Sequence, residues 1–277
     1  FYRRDYFEEA GIDTSKLSSI TMDEYIELGK VLKEKTGKYM QAGDPYDGGL
    51  MRILLQSART WYFDEKGEPN IVNNPALKEA VRIYKEINDS GISKETSGWN
   101  EWVAAFNGGE VASVITGVWI IGSIKAEESQ SGKWGVLPIP RPDVPGSVNA
   151  SNLGGSSWYV LENSENKDLA IDFLNQIYAK DVDFYQKILI DRGAVGTWLP
   201  AQKGEAYSAG DPFFGNQKIY VDFAKWIEMI PSVDYGLYTY EADAAIMGVM
   251  PDVYSGKLSI EEASKQAEDQ LRNVIGG

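Results

Sequence analysis

Residues 108–119 constrain the fold most. Trp102, Ala105 and Phe106 fall on one face of a helix that runs into Gly108-Gly109. Paired glycines end a helix because glycine takes left-handed backbone without a Cβ clash. A short apolar run follows, Val111 to Ile115, rich in β-branched residues and of the length of a buried strand. Gly117 and Trp119 come next. The spacing predicts helix, tight turn, buried strand and an aromatic just past the strand's carboxyl end, which is where open α/β sheets bind ligands. Extended backbone through this stretch would put positions 115, 117 and 119 on one face. Glycine at 117 would then leave that face open beside the Trp119 ring. A core tryptophan packed by Val118 and Ile120 is the plainer reading of the same residues.

Composition narrows function by exclusion. The 277 residues, 43% of them apolar, suffice for one large domain or two modest ones with a buried core. Asp and Glu total 41 against 27 Lys and Arg, a net charge of −14. Nucleic acid and anionic membrane both call for a basic surface and are not expected partners. The absence of cysteine removes disulfides and thiolate chemistry. The absence of histidine removes the commonest general base and the commonest metal ligand. No cofactor and no metal are expected. No run of ~18 apolar residues spans a membrane. Tryptophan is plentiful, and its rigid face with a single donor suits a pyranose, although most of the rings are expected in the core.

Taken in order, Thr21 and Glu24 spell a capping box for a helix whose apolar face is Tyr25, Leu28, Val31 and Leu32 and which stops near Thr36-Gly37. A polar loop from Gln41 to Gly49, holding Asp44, Tyr46 and Asp47, leads into an apolar helix at 50–58. Residues 61–69 read as strand, turn and return strand. Their acidic cluster lacks the alternating spacing of a calcium loop. Asn74-Pro75 opens a helix with Leu77, Ala80, Val81, Tyr84 and Ile87 on its buried face, and Ser90-Gly91 ends it. Trp99 and Asn100 precede the next helix, either as a sugar rim or as a capping turn with a packed ring.

Four prolines between 138 and 145 require an extended loop. Asn152 to Ser156 follows, where Gly154 and Gly155 allow close approach of backbone to a ligand, and 157–161 reads as a strand. Leu169, Ala170, Phe173, Leu174 and Ile177 mark an amphipathic helix. Asp191-Arg192-Gly193 ends another, and Tyr220, Phe223, Ala224 and Ile227 lie on a helix closed by Pro231. Ser259 and Glu262 make a second capping box before a final helix that buries Ile260, Ala263, Ala267, Leu271 and Val274.

Five stretches, in order, resemble the family 1 extracellular solute-binding proteins, the sugar receptors of ABC importers. They are 106–112 followed by Gly117-Val118-Trp119; 1–12; Trp134-Gly135-Val136-Leu137-Pro138; Gly154-Gly155-Ser156-Ser157 with Asn166-Lys167; and Asp211-Pro212-Phe213-Phe214-Gly215-Asn216-Gln217, the last similar to the oligosaccharide branch. The resemblance implies a maltose-binding-protein-like, type II periplasmic-binding-protein α/β fold. This chain would supply mainly the C-terminal lobe, with a mixed sheet flanked by helices. Residues 1–192 would form that lobe, 193–231 would cross to the first lobe, and 232–277 would return as helices. Most of the first lobe, roughly 100–150 residues and an ordinary domain's worth, is expected to precede position 1, with a signal peptide. The implied protein is a monomeric extracellular or periplasmic receptor, membrane-tethered as a lipoprotein. It would bind a sugar or oligosaccharide between its lobes and hand it to an ABC-type permease. The expected ligand-binding residues are Trp119, Gly154, Gly155, Ser156, Asn152, Tyr46, Asp47, Trp99, Trp198, Tyr238 and Tyr240. Tyr46, Asp47, Trp198 and the tyrosines 238 and 240 enter on the resemblance alone, and a solvated turn is the other reading of the loop that holds Tyr46 and Asp47.

An enzyme is the competing class. Ser164-Glu165-Asn166-Lys167 and Lys35-Thr36-Gly37 match two β-lactamase motifs, but in reversed order and with no third motif between them. Ser164 also stands where a helix cap is expected. A glycosidase needs two carboxylates ~5–9.5 Å apart across one sugar, and Asp44, Asp47, Glu101 and Glu127 are the available acids. The expectation is a receptor without enzymatic activity, with a carboxylate-pair hydrolase as the alternative.

Overall fold

The computed structural model describes residues 1–276. In chain order its first elements are β1 (Tyr2–Arg3), α1 (Arg4–Glu9), α2 (Met22–Thr36), β2 (Gln41–Gly43), α3 (Gly49–Ser57), α4 (Pro75–Ser90), β3 (Ser93–Glu95) and α5 (Gly98–Asn107). Then follow α6 (Ile121–Lys125), β4 (Trp134–Gly135), α7 (Lys167–Tyr178), α8 (Val182–Arg192), α9 (Glu205–Ser208), α10 (Ile219–Ile227), α11 (Thr239–Tyr254) and α12 (Ile260–Gly276). They fall into two compact units. The first comprises residues 1–115, 136–153 and 226–277, the second 116–135 and 154–225.

The first unit is built on a mixed sheet. Segment 111–114 lies at its middle. On one side it pairs antiparallel with the start of the chain, through Arg3 N to Ala112 O at 2.8 Å and Val114 N to Phe1 O at 2.8 Å. On the other it runs parallel to 39–41, through Ala112 N to Tyr39 O at 2.9 Å and Ser113 N to Met40 O at 2.8 Å. β2 continues that segment and pairs parallel with β3 in the register Gln41 with Ser93, Ala42 with Lys94 and Gly43 with Glu95. Val111, Ala112, Ser113 and Val114 are all buried, as a strand covered on both faces must be.

Helices cover this sheet, and their ends follow sequence chemistry. Thr21 and Glu24 close the capping box of α2, and Gly37 ends it in left-handed backbone at φ 70°. Asn74 accepts from the N–H groups of Ala76 and Leu77 to start α4, and Gly91 at φ 65° stops it. The apolar face of α4 (Leu77, Ala80, Val81, Ile83, Tyr84 and Ile87) packs into a continuous core with α11 and α12. Each fully buried Leu or Ile there contributes about 1.5–3 kcal/mol. The proline-rich stretch after residue 136 is a loop without helix, and it turns at 144–147, where Ser147 N donates to Val144 O at 3.1 Å. It is strapped to α2 by Met22 N to Arg141 O and to α3 by Val148 N to Ser57 O, at 2.8 and 3.0 Å. The turn at 64–68 folds on itself, with the Asp64 carboxylate accepting from the N–H groups of Lys66 and Glu68.

The second unit holds α6 to α9 and most of α10. Trp134 is fully buried and donates to Gln130 Oε1 at 2.7 Å. Asp211 caps a short turn by accepting from Phe213 N at 3.0 Å and pairs with Lys125 at 2.6 Å, which anchors the buried Phe214. The motif 211–217 is thus a folded turn.

One expected strand is corrected here. Residues 157–161 form no strand, and of the family-like segment 134–138 only the two residues of β4 join a ladder. Residues 156–161 do carry β-type side chains, but among the described residues they have no ladder partner, and Trp158, Tyr159 and Leu161 are exposed. The amphipathic helix expected from Leu169 to Ile177 does form as α7, yet Leu169 and Phe173 are also exposed and none of its residues is buried.

Candidate functional site

β2 and β3 are parallel and adjacent, so the loops that leave their carboxyl ends emerge on the same edge of the sheet, the edge where α/β folds bind ligands. After β2 comes the loop 44–49. Asp44 turns it by accepting from Tyr46 N at 2.9 Å, and Asp47 accepts from Gly49 N, the first residue of α3, at 2.8 Å. Tyr46 is left 51% exposed, with its ring 6.1 Å from that of Tyr254. After β3 comes Trp99, also 51% exposed, with its ring 5.5 Å from that of Trp102. Trp102 in turn donates to Ala42 O on β2 at 3.2 Å. Tyr46 and Trp99 thus place two half-exposed rings on one sheet edge, each offering a flat apolar surface with a polar handle.

The start of α11 joins this group. Tyr238 is half-buried against the core, whereas Tyr240 is 73% exposed. Arg52 of α3 lies with its guanidinium carbon 5.6 Å from the centre of the Tyr240 ring. The Arg52 Nε is 3.1 Å from Oδ2 of Asp243 on α11. Asp243 is buried and accepts a very short hydrogen bond from Tyr62 OH. Burial pushes its carboxyl up to about 6, opposed by the Tyr62 hydrogen bond and the Arg52 charge. Arg52 and Asp243 therefore tie the Tyr46–Asp47 loop to Tyr240. Sequence reading missed both, although an Asp at 243 between Ala242 and the run Ala244-Ala245-Ile246 of α11 is a legible signal.

Asn152, the last expected site residue of this unit, has its backbone N–H bound to Gln56 Oε1 at 2.7 Å while its side chain is exposed. The other expected residues belong to the second unit. Trp119 lies in a single 3-10 turn, Val118–Ile120, so the strand alternation expected to align 115, 117 and 119 does not hold. The indole instead folds back over Gly117. A Cβ there would sit 2.6 Å from the Trp119 Nε1, and the ring is 44% exposed. The glycine is thus required by its neighbour's ring, by contact rather than by alternation. Next to it the Thr116 hydroxyl is shut off from solvent and has no partner among the described residues, an uncommon state for a buried polar group. Gly154 and Gly155 take φ 81° and 141°, and with Ser156 they are exposed. Trp198 is half-buried with its ring 6.0 Å from that of Tyr185.

The acids available to a hydrolase are spent locally. Asp44 and Asp47 hold their own loop, Glu101 accepts from Ser97 N at 2.8 Å, and Glu127 accepts from Ser129. Those hydrogen bonds to Ser129 hold the Glu127 carboxyl below its ordinary value. Ser164, the first β-lactamase-like residue, accepts from Asn166 N in the turn before α7.

The sequence profile of the bacterial extracellular solute-binding proteins matches residues 1–204. The chain belongs to this family. The solute-binding protein is 49% identical over 275 residues to a lactose-binding protein of Rhizobium radiobacter, covering 99% of this chain and 65% of that relative. Its fold matches that of an ABC-transporter-associated binding protein from B. animalis subsp. lactis in complex with β-1,6-galactobiose, at a TM-score of 0.80 and 21% identity, over 99% of this chain and 70% of that one. It also matches the GacH receptor of Streptomyces glaucescens at 0.77 and 22%, over 99% and 68%. The α/β fold of the periplasmic-binding-protein-like sugar receptors is thereby established for the chain. The solute-binding protein spans about two thirds of the length of each of these three. Family and relatives are binding proteins, and nothing among them supports the hydrolase alternative.

Proposed function

We propose that this solute-binding protein is a receptor, without enzymatic activity, for a β-galactoside disaccharide of the lactose class and that it delivers the sugar to an ABC-type permease. The observation that carries the reading is the 49% identity, over nearly the whole chain, to a lactose-binding protein. The exposed rings of Tyr46, Trp99 and Tyr240 support it, because each offers a flat apolar surface to the C–H face of a galactose or glucose ring. Asp47, Trp119, Asn152, Gly154, Gly155, Ser156, Trp198 and Tyr238 complete the proposed contacts. The sugar is held between two lobes that close on it by a hinge, and the closed form is what the permease reads. The crossing of 193–231 and the return of 232–277 to the second lobe belong to this proposal. So do a location outside the cytoplasm, tethering as a lipoprotein, and a monomeric state.

Titration calorimetry with lactose, with maltose as control and the sugars analysed afterwards, tests it. Saturable heat with lactose and intact sugar are expected. No lactose binding, or release of glucose and galactose, overturns it.

A further inference from the structure

The Arg52–Asp243 pair has more polar capacity than the fold uses. Arg52 spends Nε on the Gly48 carbonyl at 3.4 Å and on the nearby Asp243 carboxylate. Among the described residues neither of its terminal amino groups donates a hydrogen bond, and its side chain is 19% exposed. Four N–H donors are therefore left over on a guanidinium that lies beside the ring of Tyr240. Asp243 anchors the other side. A Cβ at Gly48 would lie 2.8 Å from its carboxylate carbon, so only glycine lets the loop that carries Tyr46 and Asp47 settle against it.

We propose that Arg52 is a specificity-determining residue of the sugar site, donating its terminal N–H groups to sugar hydroxyls beside Tyr240, and that Asp243 is the positioning residue that holds it there. This rests on the receptor reading above. A fixed, planar donor fork discriminates between hydroxyl arrangements, because a sugar with the wrong arrangement leaves buried donors unpaired.

Among the described residues the groups facing Asp243 are few. They are Arg52 from α3, Asp47 from the 44–49 loop, Tyr62, and Tyr84 from α4, whose hydroxyl donates to Asp47 O at 2.7 Å. Arg52 is the only cation among them. Protonation of Asp243 removes the charge that fixes Arg52, so affinity falls as the pH drops through about 6.

The test is lactose titration calorimetry from pH 5 to pH 8 on the wild type and on Arg52→Gln, Asp243→Asn and Asp243→Glu, with thermal unfolding of each to confirm folding. Wild type is expected to bind at least several-fold more weakly at pH 5 than at pH 8. Arg52→Gln should lose tenfold or more at pH 8 while remaining folded, and Asp243→Asn should bind weakly with a flat pH profile. Asp243→Glu should regain part of the affinity and its pH dependence. If Asp243→Asn fails to fold, Arg52→Gln decides alone. Wild-type binding that Arg52→Gln leaves unchanged, or a wild-type pH profile that Asp243→Asn does not flatten, overturns the inference and leaves the receptor reading standing. Absence of wild-type binding overturns the receptor reading instead.

Discussion

The indole of Trp119 rests over Gly117 and stays 44% exposed. Trp119 was legible as an exposed aromatic beside a glycine, and it is one, but the link is the ring's own contact with Gly117 in a 3-10 turn. Local turns of this kind depend on the chain around them, which no spacing rule contains. Trp119→Ala is expected to lower lactose affinity by roughly 2 kcal/mol or more, as for an aromatic hot spot, with little change in stability. A core tryptophan would instead lose ~3–5 kcal/mol of stability, so denaturant unfolding beside calorimetry separates the roles. Asp243 carries a second prediction. Its carboxyl sits near 6 in the fold against an ordinary value of 3.8, so the folded state binds the extra proton between those values. Stability contributed by this group is therefore present below the lower value and is lost as the pH rises through the upper one. Asp243→Asn should gain on the wild type by about 2–3 kcal/mol between pH 4 and pH 8. Urea unfolding across that range measures it, and a constant difference would show that Asp243 does not titrate there.

Helices with local start and stop signals were readable to the residue, because their caps satisfy backbone groups from within a few positions. The capping boxes at Thr21 and Ser259, the Asn74-Pro75 start of α4 and the Gly37 and Gly91 stops all stand as spelled. Thr21→Ala should cost about 1 kcal/mol by chemical denaturation, and no loss would mean that packing alone fixes the start of α2. Strands were less readable, since a strand needs a partner that the local sequence does not name. Segment 111–114 has partners on both sides and is buried, whereas 156–161 has none and is not. The same limit explains the site. Asp47 was legible as a polar loop residue, but its tie to Tyr240 runs through Arg52 and Asp243, which lie 191 positions apart in the chain.

At the scale of the whole molecule the two units differ in how they bury apolar surface. The continuous core of α4, α11 and α12 lies in the first unit, and its members range from Tyr2 to Leu271. In the second unit Trp158, Leu161, Leu169, Phe173, Ile190 and Leu199 are exposed. Single exposed apolar residues are ordinary, but these large ones, with Trp119, Tyr159 and Ile171 exposed beside them, leave the helices of the unit short of tertiary support. An isolated helix of 12 residues, the length of α7, is marginal in water because nucleation outweighs so few hydrogen bonds. Local stability should therefore be uneven, with openings near zero free energy for α7 and close to the global value for α11 and α12. Hydrogen exchange on the 277-residue chain is expected to show α7 amides exchanging at least a hundredfold faster than the buried-face amides of α11 at Ala242, Ile246 and Met250. Leu169→Lys with Phe173→Lys should leave the α11 rates unchanged, because those side chains take no part in the first unit's core. Protection of α7 equal to that of α11, or loss of α11 protection in the double variant, would show that the units share one cooperative core.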